Sequence, residues 1–119
     1  MAIMIKRVYE QPTVQDGYRV LIDRLWPRGL SKEKAKIDEW IKDVAPSEEL
    51  RKAFHLEEIS WEEFEKRYLL ELEKYREKLK SLLKLHHNEQ ITLLYSYKDT
   101  EKNNAIVLKQ YMMQLEKED

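Results

Sequence analysis

Short continuous apolar runs occur at three places in this chain, and between them the apolar positions step by three and four. Ile3 to Tyr9 is rich in β-branched residues and predicts a first strand. Tyr18 to Asp23 predicts a second, whose centre, Val20-Leu21-Ile22, is apolar without alternation, as in a sheet covered on both faces. Ile91 to Ser96, "ITLLYS", predicts a third of the same kind. The first two are joined by "EQPTVQDG", where Pro12 and Asp16-Gly17 mark a loop. Its length of about eight residues is short for a parallel crossover, which takes a dozen or more, so the direction of the first strand is open.

The helical signals follow their caps. Ser31 is placed to cap a first helical piece, and Ile37, Trp40, Ile41 and Val44 offer one apolar face at helical spacing. Pro46 interrupts, and Ser47 then caps "EELRKAF", with acids in its first turn as the helix dipole prefers. In "SWEEF", Ser60 and Glu63 have the spacing of a capping box. Beyond it, Trp61, Phe64, Tyr68, Leu72, Tyr75, Leu79, Leu82 and His86 share one helical face. A single helix over 61–86 would be about 39 Å long at ~1.5 Å per residue. That is too long for so small a domain, so a break is expected near Glu73–Glu77. Ala105, Leu108, Met112 and Leu115 mark a last amphipathic helix. The order of elements predicts one α/β domain over 1–119, in two or three layers. A short, mostly parallel sheet of three strands or slightly more would pack with about five helices.

Composition narrows the function. Of 119 residues, 42% are apolar and 38% charged, and 22 basic against 23 acidic residues leave a net charge of -1. No long-range field recruits nucleic acid or an anionic membrane. Residues 1–30 hold five Lys/Arg against three Asp/Glu, a balance of +2, and the remainder 17 against 20, or -3. A local positive region in an acidic protein favours a small anionic ligand over a long polyanion. The chain has no cysteine, which excludes disulfides, thiolate catalysis and Cys-ligated zinc. No apolar run approaches the ~20 residues of a membrane span, and "MAIMIKRVYE" is a poor secretory signal. A soluble cytoplasmic protein, monomer or homodimer, is the expectation.

Candidate chemistry gathers at two strand ends. The apolar core of the second strand gives way to Asp23, Arg24, Trp26 and Arg28, and that of the third to Tyr95, Tyr97, Lys98 and Asp99. If these strands are parallel neighbours, both clusters emerge at the carboxyl edge of the sheet, where open α/β folds bind ligands. There Arg24 and Arg28 are suited to a carboxylate or phosphate, and Lys98 supplies a further charge. Asp23 and Asp99 are the candidate catalytic bases or orienting groups, Trp26 and Tyr95 candidate walls. Asn103 and its neighbour Asn104 can cap the last helix or face a ligand from its N-terminus. The same charges also suit a structural network pairing Arg24 with Asp23 or Asp99. His86 and His87 are adjacent and point apart on a helix, His55 stands alone, and no serine–histidine arrangement is visible. No metal set and no cofactor is indicated.

These residues also carry a family resemblance. "RVYEQPTVQDGYRVLIDRLWPRGLSKEKAKIDEWIKDVAPSEELRKAF", "WEEFEKRYLLEL" and "TLLYSYKDTEKNNAIVL" resemble the YeaO-like family, a domain of unknown function numbered 488. The likeness runs over nearly the whole chain and carries over Asp16 to Gly29, Ala45 to Ser47, Trp61 to Phe64, and Thr92 to Asp99 with Asn103. It implies that the two strand-end clusters belong together, and it implies no substrate. In one departure, His55-Leu56 stands where the family has Gly-His, so any role of that histidine is lost or served one position away. More distant relatives have cysteines at the positions of Tyr95 and Asn103, and their thiol chemistry does not transfer.

Two functions follow. One is a small anion-binding protein, phosphate- or nucleotide-directed, acting as a hydrolase or transferase. The other is a non-enzymatic regulatory or interaction module that uses the long Trp61–His86 face.

Overall fold

Val20, Leu21, Leu93 and Leu94, the centres of two of the apolar runs, have no exposed surface at all. They lie side by side in the middle of a four-stranded sheet. The structure, a computed structural model, describes residues 2–118. Its strands are β1 (Ile3–Arg7), β2 (Tyr18–Leu21), β3 (Glu39–Trp40) and β4 (Ile91–Tyr95), in the order β1-β4-β2-β3. Every neighbouring pair is parallel, with Ile5 opposite Leu93 and Val20 opposite the same residue on the other side. The helices are α1 (Lys32–Ala35), α2 (Glu48–His55), α3 (Trp61–Leu72), α4 (Arg76–Leu85) and α5 (Asn104–Lys117). The predicted α/β class, its short parallel sheet and its five helices are therefore observed, and none of these helices is long and apolar enough to cross a membrane.

The direction of β1 is now settled: it runs parallel to β4, and so to β2. The residues between β1 and β2 include a 3-10 turn at Val14–Asp16. They suffice for the return because an extended chain covers roughly 3.3 Å per residue and the strands are only four and five residues long. One expectation fails. Ile37, Trp40, Ile41 and Val44 do not share a helix: Glu39–Trp40 is an edge strand pairing Leu21 with Trp40, and Lys42–Val44 is a 3-10 turn. Asp38 N–H donates to Arg19 O and Ile41 N–H to Leu21 O, so backbone pairing with β2 wins over local helical spacing.

Alternation along the strands splits the interior. Val20, Ile22, Leu93 and Tyr95 face the large core built with α2 to α5, while Leu21 and Leu94 face a small one with Val8, Trp26, Leu30, Ile37 and Trp40. The long helical stripe lies in the large core: Phe64, Tyr68, Leu72, Leu79 and Leu82 are all buried. It breaks where expected, at a 3-10 turn over Glu73–Tyr75. The break lets α3 and α4 both pack on α5. Ser31, Ser47, Ser60 and Asn103 each cap the helix that follows, accepting from the third backbone N–H beyond. Ser47 also donates through N–H and Oγ to the two carboxylate oxygens of Glu71, at 2.8 and 2.6 Å, which fastens α2 to α3.

The thinly covered face of the sheet carries a buried ionic cluster. Asp16 and Arg19 are 6% and 4% exposed. Asp16 accepts from Arg19 Nη1 at 2.5 Å, from Lys6 Nζ at 3.1 Å, and from Thr13 N–H and Oγ1 at 3.0 Å. Arg19 also donates from Nη2 and Nε to the carbonyls of Ala35 and Lys36, closing the end of α1. Burial opposes the charge on Asp16, but the hydrogen bonds from Thr13, Lys6 and Arg19 outweigh it and hold its pKa at about 2.

Candidate functional site

Because the strands are parallel, β1, β4 and β2 all deliver their last residues to one edge of the sheet. Three of those ends, together with the start of α5 and the end of α2, surround a cleft of about 450 Å³. Its size is within the range of small-ligand sites. Five basic side chains line it, Arg7, Arg24, Arg28, Arg51 and Lys102, against two acids, Asp23 and Glu48.

The arginines differ in their commitments. Arg51 pairs with Glu48 at 2.5 Å. Arg7 donates from Nε and Nη2 to the carbonyls of Tyr97 and Ser96, at 3.0 and 2.9 Å, and stacks over the Tyr9 ring. Arg24 donates from Nη2 to Pro46 O at 3.2 Å. Among the described residues, no carboxylate lies within ion-pair reach of Arg7, Arg24 or Arg28. The two-way network of Arg24 with Asp23 or Asp99 does not form.

Asp23 is instead a clamp between strand ends. Its Oδ2 accepts from Ser96 N–H and Oγ, both at 2.8 Å, and its Oδ1 from Asn104 Nδ2 at 3.0 Å. Its own carbonyl accepts from Trp40 Nε1 at 2.7 Å. With three donors on one carboxylate, Asp23 joins the ends of β2 and β4 to the first turn of α5. Trp26 lines the cleft with its indole edge against Trp40, and its Nε1 donates to Leu30 O at 2.6 Å. This bond and the positive φ of Gly29 (78°) return the loop toward α1. Arg28 O accepts from Tyr9 Oη at 2.9 Å, which ties the same loop to the segment after β1.

Of the residues singled out from sequence, Asp23, Arg24, Trp26, Arg28 and Asn103 come together around the cleft, while Tyr95, Lys98 and Asp99 do not. Tyr95 is 2% exposed and points with Leu93 into the large core; burial, then the charge of Glu10, raises its pKa. Tyr97, two residues on, takes the wall position instead. Lys98 is exposed where the chain turns away from the sheet. Asp99 is occupied with its own turn, accepting from the N–H groups of Lys102 and Glu101 at 3.0 and 2.8 Å, and those bonds lower its pKa. Asn103 takes the capping role at α5, while Asn104 donates to Asp23.

Several cleft residues escaped the sequence. Arg7 is the last residue of β1 and Tyr9 lies two beyond it, inside the first apolar run, and only the parallel direction of β1 puts them at the same edge as Arg24 and Trp26. Arg51, Phe54 and His55 come from α2, where no strand-end pattern marks them. His55 is the last residue of α2 and stacks on Tyr97, ring centroids 4.9 Å apart and planes nearly parallel at 11°. A histidine thus reaches the cleft despite the altered pair, while Leu56 is 67% exposed. Burial, then the charge of Arg51, holds the His55 pKa below its ordinary value.

Known proteins resemble this chain over nearly all of its length. A family described as "Inactive DUF488-N3 subclade" matches residues 2–119. The uncharacterized protein YeaO of Escherichia coli (strain K12) is 45% identical over 115 residues, 97% of this chain and all of that protein. The uncharacterized protein Rv3073c of Mycobacterium tuberculosis (strain ATCC 25618 / H37Rv) is 37% identical over 110 residues, 92% of either chain. No solved structure matches. This chain belongs to the YeaO-like DUF488 family, in its DUF488-N3i branch.

Proposed function

We propose that this protein is a binding module for a small anionic ligand, held in the cleft at the carboxyl edge of the sheet, and that it does not turn that ligand over. The observation that carries the reading is the charge imbalance of the cleft. Arg7, Arg24 and Arg28 face it with no carboxylate in ion-pair reach among the described residues, while of its two acids Asp23 is saturated by neutral donors and Glu48 pairs with Arg51. The N-terminus of α5 adds to the same field, since its first turn contains no acid. Guanidinium groups supply paired N–H donors that match a carboxylate or phosphate.

Binding without chemistry is favoured because neither candidate base is free. Asp23 holds three donors, and Asp99 holds its own turn away from the cleft. The description of the matching family as inactive agrees. The interaction-module alternative loses its main support, because the stripe from Phe64 to Leu82 is spent in the core.

Thermal unfolding in a panel of small anions, phosphate, sulfate and simple carboxylates, tests the reading. The wild-type midpoint should rise with anion concentration. The Arg24→Ala/Arg28→Ala protein, altered only at exposed side chains, should keep its fold and lose the rise. Each arginine that grips a desolvated anion is worth about 2–3 kcal/mol of binding. No rise in the wild type, or an equal rise in the variant, would refute it.

A further inference from the structure

The anion alone does not fill this cleft. At about 450 Å³ it has room for roughly fifteen waters of about 30 Å³ each, and a tetrahedral oxyanion takes the space of roughly three. Beside Ser96, Asn103 and Asn104, the rest of its wall has an apolar part, in which Leu25, Phe54 and Tyr97 keep exposed surface.

Two of these residues bring the apolar surface to the charges. Leu25 lies between Arg24 and Trp26 in the chain, and it is 72% exposed although the small core lies next to its loop. Tyr97 accepts a hydrogen bond from Arg7 Nε on its carbonyl while its ring, backed by the stacked His55, makes a flat wall of the same cleft. Guanidinium and hydrocarbon thus alternate along one loop and meet again across it. A site for a bare ion has no use for such a surface, and an exposed leucine on a cleft wall is covered when an apolar group enters.

Resting on the anion-binding reading above, we infer that the ligand is an organic oxyanion with an apolar, ring-sized body. Its head lies on Arg7, Arg24 and Arg28, and its body against Leu25 and the His55–Tyr97 wall. Phenyl phosphate is the simplest probe of that class. Glycerol phosphate has a polar body of comparable size, and inorganic phosphate has none.

Isothermal titration of the full chain with these three compounds tests the inference. Covering a ring's apolar surface should make phenyl phosphate bind about tenfold or more tightly than inorganic phosphate, with no such gain for glycerol phosphate. Leu25→Ser, at a position too exposed to matter for folding, should weaken phenyl phosphate by about threefold or more and leave inorganic phosphate unchanged. If inorganic phosphate binds through Arg24 and Arg28 but phenyl phosphate binds no better, the apolar body is wrong and the anion site stands. Equal gains for phenyl and glycerol phosphate overturn the inference in the same way. If none of the three binds, the inference and the anion site fall together.

Discussion

Replacing Asp16 by asparagine removes the one anion of the buried cluster and keeps its shape. Lys6 and Arg19 would then face each other across an amide, with Arg19 only 4% exposed. A carboxyl held at about 2 in the fold, against 3.8 without it, contributes about 2.4 kcal/mol to stability at neutral pH. Leaving two cations without a partner brings the expected loss for Asp16→Asn at pH 7 to about 3 kcal/mol. The pH dependence is the sharper signature. The depressed pKa makes the contribution complete above the unfolded value, and it declines as the pH falls through 3.8 toward 2. At pH 3 about 1.3 kcal/mol of the original 2.4 should remain. Urea unfolding of both proteins at pH 7, 5 and 3 measures this as a gap in ΔG that is constant from 7 to 5 and about 1 kcal/mol smaller at 3. A gap unchanged at pH 3, or a variant within about 0.5 kcal/mol of wild type at pH 7, would refute the reasoning.

Other substitutions separate scaffold from site. Both glycines have positive φ, but a Cβ on Gly17 would lie 2.3 Å from Gln90 O, the acceptor of the Tyr18 N–H bond, while one on Gly29 meets nothing within 4 Å. Gly17→Ala should therefore cost more than about 3 kcal/mol in urea unfolding and Gly29→Ala only the left-handed backbone penalty of about 1–2 kcal/mol. Asp23→Ala should lower stability by about 2–4 kcal/mol, because Ser96 and Asn104 lose their shared acceptor, without weakening anion binding. Weaker binding of phosphate by that variant in calorimetry would return Asp23 to a direct role at the ligand.

How far the chain announces its own structure differs from element to element. Val20 to Ile22 and Ile91 to Tyr95 are legible because strands buried on both faces are largely apolar, the one polar residue, Thr92, being buried with its hydroxyl donating to Asp16 O. The helix starts are legible because Ser31, Ser47, Ser60 and Asn103 each satisfy a backbone N–H that would otherwise lack a partner. Length suggests the break near Glu73 but does not force it, since a helix of about 39 Å equals the molecule's longest extent of 39 Å. β3 is not legible: two residues cannot display a period, and Trp40 joins the sheet through Leu21, nineteen positions away in the chain. Asp16 looks like turn punctuation beside Gly17, and only the approach of Lys6 and Arg19 makes it a buried charge. In the cleft, Arg24, Trp26 and Arg28 are found from the strand-end pattern. Tyr95 and Tyr97 share one face of an extended chain and are told apart only by where β4 ends, Tyr95 being its last residue and Tyr97 lying beyond it, and Arg7 is placed only by the direction of β1.

The central claim is that three strand ends form one anion site, and a titration of isotope-labelled protein with inorganic phosphate, followed by amide nuclear magnetic resonance, tests it directly. The account predicts that the backbone amides of residues 7–9, of 23–28 apart from Pro27, and of 96–104, far apart in the chain but joined around the cleft, shift together on one saturating curve. Shifts confined to the lysine-bearing surface of α4, or two segments moving on unrelated curves, would contradict it.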